Sequence, residues 1–316
     1  MVKRKENNIS PAPILVIVFN RPSKTRDIVD FLKKMPRRKV YVAADGARHS
    51  GEAGRCLEVR QIVMELKNHH NLETRFSAIN LGCGKNVAGA IHWVLEESET
   101  AIIVEDDVQI TTHFIEFCDI ALSLYRDEPA IAAISGGPLQ NLDESGFPSL
   151  FLTSYPNIWG WATWRRAFQG FDLDLQKFSN RQIFEIIRRR FGINIVTIYW
   201  WVIVLLVRSR RIDTWDFQFY FQTWAKQSFA LTPSVNLTQN IGFDAEATHV
   251  RTAPANVGQL NVESDNASII QELDKASPNR APGYERQLDT TLYRINFFTL
   301  AKLIIKYLIT KPGSYR

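Results

Sequence analysis

The apolar run at residues 101–104 is followed directly by three carboxylates, Glu105, Asp106 and Asp107. Such a run is typical of a buried parallel strand, and ligands of open α/β folds bind at the carboxyl edge of the sheet. Burying this much negative charge is unfavourable unless a cation shares the site. A hard divalent cation that bridges a carboxylate to phosphate oxygens would meet that need. The alternative is an acidic turn in which an aspartate caps a helix at 114–126.

Two further carboxylates, Asp213 and Asp216, stand beside Trp215, after a basic run at 208–211. Both carboxylates stand close to aromatic residues, just before the predicted helix at 217–224.

The elements that must position these groups alternate between strand and helix. Apolar runs predict strands at 14–19, 39–44, 74–79 and 101–104. Helical spacing of apolar residues predicts helices at 23–34, 52–68 and 86–97. This alternation predicts parallel pairing with right-handed crossovers. The expected fold class is α/β, a mostly parallel sheet flanked by helices, with a helical C-terminal extension.

The second half of the chain is less regular. Helices are predicted at 114–126 and 217–224, and a strand at 131–135. The apolar run at 195–207 is shorter than the roughly 20 residues that span a bilayer. It predicts either a buried helix or one that dips into an anionic membrane surface. Residues 251–289 are polar with little periodicity, which predicts extended or loosely ordered surface.

The segment 292–309 predicts an amphipathic helix in which Arg294, Lys302 and Lys306 stand among apolar residues. Two interpretations remain open for its apolar face. The helix either holds the protein loosely on anionic lipid or packs on the domain.

Two short motifs have both a structural and a functional interpretation. Trp161 lies in an aromatic stretch at 157–171, where an indole either packs in the core or stacks on a sugar ring. The glycine-containing turn at 81–84 is neither a dinucleotide fingerprint nor a P-loop. It is either plain turn geometry or, with Lys85 beside it, a contact for phosphate or sugar.

Composition narrows the possible functions. The chain has 316 residues, of which 45% are hydrophobic and 22% charged, and a net charge of +5. These values are ordinary for a globular protein, and a mild basic excess suits an anionic small molecule or an anionic membrane surface. No cluster of basic and aromatic residues indicates nucleic-acid binding, so no nucleic-acid partner is expected.

The three cysteines, Cys56, Cys83 and Cys118, are scattered without metal-binding spacing. This pattern favours a protein of a reducing compartment, and it argues against a disulfide scaffold or a zinc site. No apolar segment follows the basic start of the chain, so no signal peptide is expected. The expected location is the cytoplasm, with peripheral contact to the inner face of the plasma membrane as an option.

The order of these motifs resembles GT-A nucleotide-diphospho-sugar transferases, and among them bacterial proteins related to the N-acetylglucosaminyltransferase I family. The resemblance spans residues 14–249, about three quarters of the chain. The segments that support it are 19–22, 44–46, 105–107, 157–166, 213–216, 240–242 and 248–249.

On the donor side, the resemblance implies that Arg21 contacts the pyrophosphate and Asp45 the base. Glu105 and Asp106 would contact sugar and ribose. Lys85 is added as a candidate nucleotide-sugar contact because it follows the turn at 81–84.

For metal and catalysis, the resemblance implies Asp107 as the ligand of Mn²⁺ or Mg²⁺, His249 as a metal or phosphate contact, and Asp216 as the general base. The eukaryotic enzymes have two adjacent aspartates after the tryptophan, whereas this chain has Trp215-Asp216 followed by phenylalanine. Asp213 therefore remains a rival base. Trp161 is the candidate acceptor contact.

The implied function is a metal-dependent inverting glycosyltransferase that uses a nucleotide-diphospho-sugar, with a UDP-sugar expected, and a glycan or lipid-linked acceptor. The implied transferase domain is 1–250, with a nucleotide-sugar half at 10–136, an acceptor half at 137–250, and an extension at 251–316. One alternative is a non-catalytic carbohydrate-binding or membrane-associated protein of this fold. Another is a nucleotidyltransferase, which normally has a glycine-rich phosphate loop that residues 14–26 lack. The oligomeric state is left open.

Overall fold

The computed structural model describes residues 9–142, 147–243, 266–273, 277–311 and 313. The strands in these ranges are β1 (Ile14–Val18), β2 (Lys39–Ala44), β3 (Asn71–Phe76), β4 (Thr100–Glu105), β5 (Val108–Ile110), β6 (Ile131–Ser135), β7 (Leu150–Thr153), β8 (Trp161–Trp164), β9 (Phe229–Pro233) and β10 (Thr238–Asn240).

The α-helices in the same ranges are α1 (Pro22–Lys33), α2 (Ala53–Met64), α3 (Cys83–Glu97), α4 (Thr112–Leu124), α5 (Arg165–Phe168), α6 (Asn180–Phe191), α7 (Ile195–Arg208), α8 (Asp216–Ala225), α9 (Asn266–Leu273), α10 (Pro282–Thr291) and α11 (Phe297–Ile309). Short 3₁₀ helices at Ser50–Glu52 and Glu65–Asn68 adjoin the two ends of α2.

Eight strands form one sheet in the order β3-β2-β1-β4-β8-β6-β9-β7. The first four are parallel, and so are β6 and β9. Strand β8 runs antiparallel between β4 and β6, and β7 runs antiparallel at the edge. A separate antiparallel ribbon joins β5 to β10. The predicted α/β class, with a mostly parallel sheet and helices after it at the C-terminal end, is confirmed.

The sheet separates two hydrophobic layers because successive side chains of a strand point to opposite faces. Val104 packs in the layer that includes α1, α2 and α4. Ile103 packs in the opposite layer, which includes α3 and Phe219 of α8. Glu105, two residues after Ile103, therefore faces the α3 and α8 side where β4 ends.

A third hydrophobic cluster joins α6, α7, α8 and α10 around Tyr155, Trp200 and Trp224. The indole of Trp200 is completely buried, so α7 is a core helix along this face. Among the described residues, no helix has both the length and the apolar character needed to cross a membrane.

Several predicted boundaries are wrong. The third strand is Asn71–Phe76, earlier than 74–79, because an edge strand with alternating exposure lacks a continuous apolar run. The polar stretch 251–289 contains α9 and α10, whose few apolar residues are buried. The C-terminal helix begins at Phe297.

Candidate active site

The acidic triplet lies at the end of β4, beside the start of α1. Arg21 Nη1 donates hydrogen bonds to Asp107 Oδ2 at 2.5 Å and to Asp106 Oδ1 at 3.3 Å. The backbone N–H of Phe19 donates to Asp106 Oδ2 at 3.2 Å. Pro22 opens α1 directly after Arg21, which fixes the arginine at the helix start. The structure thus brings Arg21 and the triplet together.

A turn from the C-terminal half covers Asp107. The Ile241 N–H donates to the Asp107 carbonyl at 2.8 Å, and Lys24 Nζ donates to the Ile241 carbonyl at 3.1 Å. Gly242 packs so closely that an added Cβ would lie 2.3 Å from Asp107 Oδ2 and 2.9 Å from Asn240 Oδ1. Asn240 Oδ1 also accepts a hydrogen bond from the Gly242 N–H at 2.7 Å. The oxygens of Asp107 and Asn240 therefore meet at one small cradle over Gly242, a close approach that only glycine permits. Sequence analysis missed the parts played by Lys24 and Asn240.

No aspartate of the triplet caps the following helix. Thr111 is the N-cap of α4, and its Oγ1 accepts a hydrogen bond from the Phe114 N–H at 3.1 Å. The structural alternative for the triplet is therefore wrong.

The buried carboxylates repel one another. Burial, with the negative charges of Asp107 and Asp106, raises the pKa of Glu105 to about 8. Burial and the charge of Asp107 raise the pKa of Asp106 to about 7, against the opposing effect of Arg21. One cation, the Arg21 guanidinium, contacts two of these carboxylates, and additional positive charge would favour their ionised forms.

The raised pKa of Glu105 predicts that the stability of the fold depends on pH. A carboxyl group whose pKa is raised on folding loses stability as the pH rises, here between about 4.5 and 8. We expect Glu105→Gln to melt about 2–5 °C higher than the wild type at pH 9 and to show no gain at pH 4.5. Thermal denaturation across this range measures the difference, with Glu116→Gln on the exposed face of α4 as the control. A gain that is equal at both pH values would contradict the assignment.

Asp213 and Asp216 reach the same region from the loop before α8 and from its first turn. An added Cβ at Gly84 would lie 2.8 Å from Asp213 Oδ1, so this carboxylate packs on the first turn of α3. Asp216 Oδ1 accepts hydrogen bonds from Thr214 Oγ1 and from the Phe217 N–H, the latter at 2.8 Å.

The carboxylates of both segments affect the pKa values of groups near the start of α3. The charge of Asp216 contributes to the raised pKa of Glu105. Burial raises the pKa of the Cys83 thiol, with contributions from Glu105, Asp216, Asp213 and Asp107. The segment after α7 and the end of β4 therefore face each other across the start of α3.

The carboxylate of Asp45, the predicted base contact, accepts hydrogen bonds from the turn before α3. Its Oδ1 accepts from the N–H groups of Gly46 and Leu81 at 2.8 and 2.9 Å. Its Oδ2 accepts from the Gly82 N–H at 3.1 Å and from Asn80 Nδ2 at 3.0 Å. A carboxylate has about four acceptor sites, so these donors occupy Asp45. Its role here is to hold the turn before α3, where Gly82 has φ +81°.

We therefore expect Asp45→Ala to lower the free energy of unfolding by about 2–4 kcal/mol, since it leaves several donors without an acceptor. Urea denaturation measures this, and Asp27→Ala, at an exposed position of α1, is the control. If Asp45→Ala kept full stability but lost nucleotide binding, the base-contact role would be restored.

The predicted acceptor contact at Trp161 is wrong, because its side chain is only 1% exposed. Its ring stacks on Trp215, with centroids 5.6 Å apart, and lies 4.9 Å from the Phe219 ring. The aromatic stretch instead leaves Trp159 partly exposed, 5.7 Å from the Phe243 ring. Trp159 and Trp161 are two residues apart, so the alternation of a strand would assign both side chains to the same face and could not distinguish them.

The remaining site residues are placed as follows. Lys85 is exposed on the first turn of α3. His249 lies outside the described residues. In the ranges that the structure describes, no group of three or more His, Cys, Asp and Glu side chains could hold a metal alone. The oxygen donors of Asp107 and Asn240 nevertheless fit a hard divalent cation, which takes few protein ligands when phosphates supply the rest.

Comparisons with known proteins add one finding. No protein-family model and no curated protein matches the chain. Among solved structures, the chain is similar to the mannosyltransferase PcManGT from Pyrobaculum calidifontis in complex with GDP-Man and Mn²⁺. The two share 12% identity with a TM-score of 0.38, over 95% of this chain and 85% of that chain.

Proposed function

We propose that this protein is a metal-dependent inverting glycosyltransferase that moves a sugar from a nucleotide-diphospho-sugar to a hydroxyl acceptor. The observation that supports this best is the juxtaposition of Asp107, paired with Arg21, and the carboxylates Asp213 and Asp216. Asp107 and Arg21 suit an anionic leaving group and the cation that accompanies it. Asp213 and Asp216 suit the removal of a proton from a nucleophile. A sugar transfer with inversion needs both on opposite sides of one carbon.

On the donor side, Asp107 and Asn240 would hold Mn²⁺ or Mg²⁺ at the cradle over Gly242. The metal, when bound, supplies positive charge that stabilises the departing diphosphate. Arg21 is the matching protein cation, since a guanidinium donates charge-assisted hydrogen bonds to phosphate as readily as to carboxylate. Lys85 is exposed on the first turn of α3, where a helix N-terminus also favours anions.

Glu105 and Asp106 would contact the sugar and ribose hydroxyls. Their carboxyl oxygens can accept hydrogen bonds from these hydroxyls, and metal at Asp107 would favour the ionised form of both. Trp159, partly exposed beside the Asn240–Gly242 turn, replaces Trp161 as the surface on which a sugar ring can stack.

On the acceptor side, Asp216 is the proposed general base. The acceptor oxygen forms the new bond to the anomeric carbon while that carbon's bond to the diphosphate oxygen breaks. The acceptor proton passes to the carboxylate of Asp216. Hydrogen bonds from Thr214 and the Phe217 N–H to Oδ1 fix the orientation of this carboxylate. The acceptor class that the sequence resemblance favours is a glycan or a lipid-linked sugar.

A thermal-shift screen of nucleotide-diphospho-sugars, with and without Mn²⁺, tests the proposal. Ligand at about 100 times its Kd stabilises the folded state by about 2.7 kcal/mol. We expect one donor, of the UDP class, to raise the melting temperature only when Mn²⁺ is present. Nucleoside monophosphates and free sugars are the controls. If no donor shifts melting beyond these controls, the proposal is wrong.

A further inference from the structure

The outward face of α11 is apolar although it is exposed. Its contact face, which includes Leu300 and Leu303, packs with Val202 and Leu206 of α7. The large apolar side chains that remain exposed on α11 are Phe297, Phe298, Ile304, Ile305, Leu308 and Ile309. At about 100° per residue, these six positions fall within one sector of about 140°. The helix thus presents one apolar face to the domain and a second face to solvent.

An apolar stripe of α7 extends beyond the part that α11 covers. Ile195, Ile198, Val202 and Leu206 share one stripe, because they are three or four residues apart. The C-terminal ends of the two helices lie together, since the Gly313 N–H donates to the Ser209 carbonyl at 3.0 Å. Leu206 and Val202 are covered by α11, whereas Ile198 and Ile195 are 41% and 38% exposed.

The charges around this surface have one sign. Lys302 and Lys306 adjoin the apolar sector of α11, and both are exposed. Arg294 and Lys311 lie at the two ends of the helix, and no Asp or Glu occurs between residues 294 and 311. A second copy of the chain docked here by two-fold symmetry would bring these cations together. An anionic bilayer would complement them, while the lysine stems extend toward its headgroups.

We propose that the outward face of α11 binds the surface of an anionic bilayer. The apolar side chains enter the boundary between headgroups and acyl chains, and Lys302 and Lys306 contact anionic headgroups. This proposal does not depend on the transferase activity, and its test measures no catalysis.

Flotation of the full chain with vesicles tests it. The wild type should float with phosphatidylcholine vesicles that contain phosphatidylglycerol at low salt, and should stay at the bottom with pure phosphatidylcholine. Raising the salt to 0.5 M should release it, because exposed charges are screened. A wild type that stays at the bottom with anionic vesicles at low salt overturns the proposal.

Variants locate the surface. The double variant Ile305→Glu and Leu308→Glu should remove flotation, and Lys302→Glu with Lys306→Glu should weaken partitioning at least about thirtyfold. The matched control, Leu57→Glu with Ile79→Glu, changes exposed apolar residues elsewhere. It should float like the wild type, and equal loss in the control would overturn the proposal.

The alternative occupant is a second copy, and sedimentation resolves it. The wild type should be monomeric without vesicles, and all variants should retain the wild-type melting temperature within about 2 °C. A dimer that the Ile305→Glu and Leu308→Glu changes dissociate would assign this face to self-association instead.

Discussion

Asp107→Ala is expected to abolish the Mn²⁺-dependent part of nucleotide-sugar binding while the fold stays intact. The carboxylate lies at the end of β4 with its side chain 18% exposed, so its loss leaves no cavity in the core. Its removal takes away the charged oxygen at the cradle over Gly242 and leaves Asn240 alone. Because the metal interaction is worth several kcal/mol, we expect donor affinity with Mn²⁺ to fall about a hundredfold or more.

Calorimetric titration of the donor, with and without Mn²⁺, measures this effect. Glu116→Ala, at an exposed carboxylate on α4, is the matched control and should bind as the wild type does. The Asp107→Ala variant should bind the donor equally with and without metal. Wild-type affinity in the presence of Mn²⁺ would remove Asp107 from the metal site.

The second large effect concerns the base. Asp216→Asn keeps the size of the side chain and its acceptor for Thr214 and the Phe217 N–H, but removes its ability to take a proton. The turnover rate should therefore fall by about two to four orders of magnitude. Donor affinity should stay the same, since the base acts on the acceptor.

Asp213→Asn is the comparison that makes the base assignment specific. Asp213 packs on the first turn of α3 at Gly82 and Gly84, so we expect its change to act through local structure and to cost less than about tenfold. The reverse pattern, a severe loss for Asp213→Asn and a mild one for Asp216→Asn, would exchange the two roles. If neither variant slowed transfer, base catalysis by this segment would be wrong.

The sequence predicted those elements whose apolar pattern lies within the element itself. Strands β1, β2, β4 and β6 are continuous apolar runs, because parallel strands covered on both faces are apolar throughout. Strand β8 was not predicted, since it is a four-residue aromatic segment whose insertion between β4 and β6 depends on distant partners.

Some contacts of the candidate site also follow from local sequence, whereas others depend on residues that are distant in the chain. Proximity of Arg21 to Asp106 and Asp107 follows from adjacent parallel strands that end at one edge of the sheet. The occupied carboxylate of Asp45 and the close approach of Gly242 to Asp107 depend on turns that are remote in sequence. Burial of Trp161 instead of Trp159 depends on the position of α8.

The bond that the protein breaks is the most direct measure of its function. The donor selected by thermal shift should be incubated with Mn²⁺ in ¹⁸O-labelled water, where slow hydrolysis stands in for transfer to an acceptor. We predict free sugar and a nucleoside diphosphate without label on phosphorus, because the bond at the anomeric carbon is the one cleaved. Asp107→Ala should yield neither product. Nucleoside monophosphate and sugar 1-phosphate, with label on phosphorus, would indicate nucleotidyl chemistry and contradict the assignment, as would donor binding without any turnover.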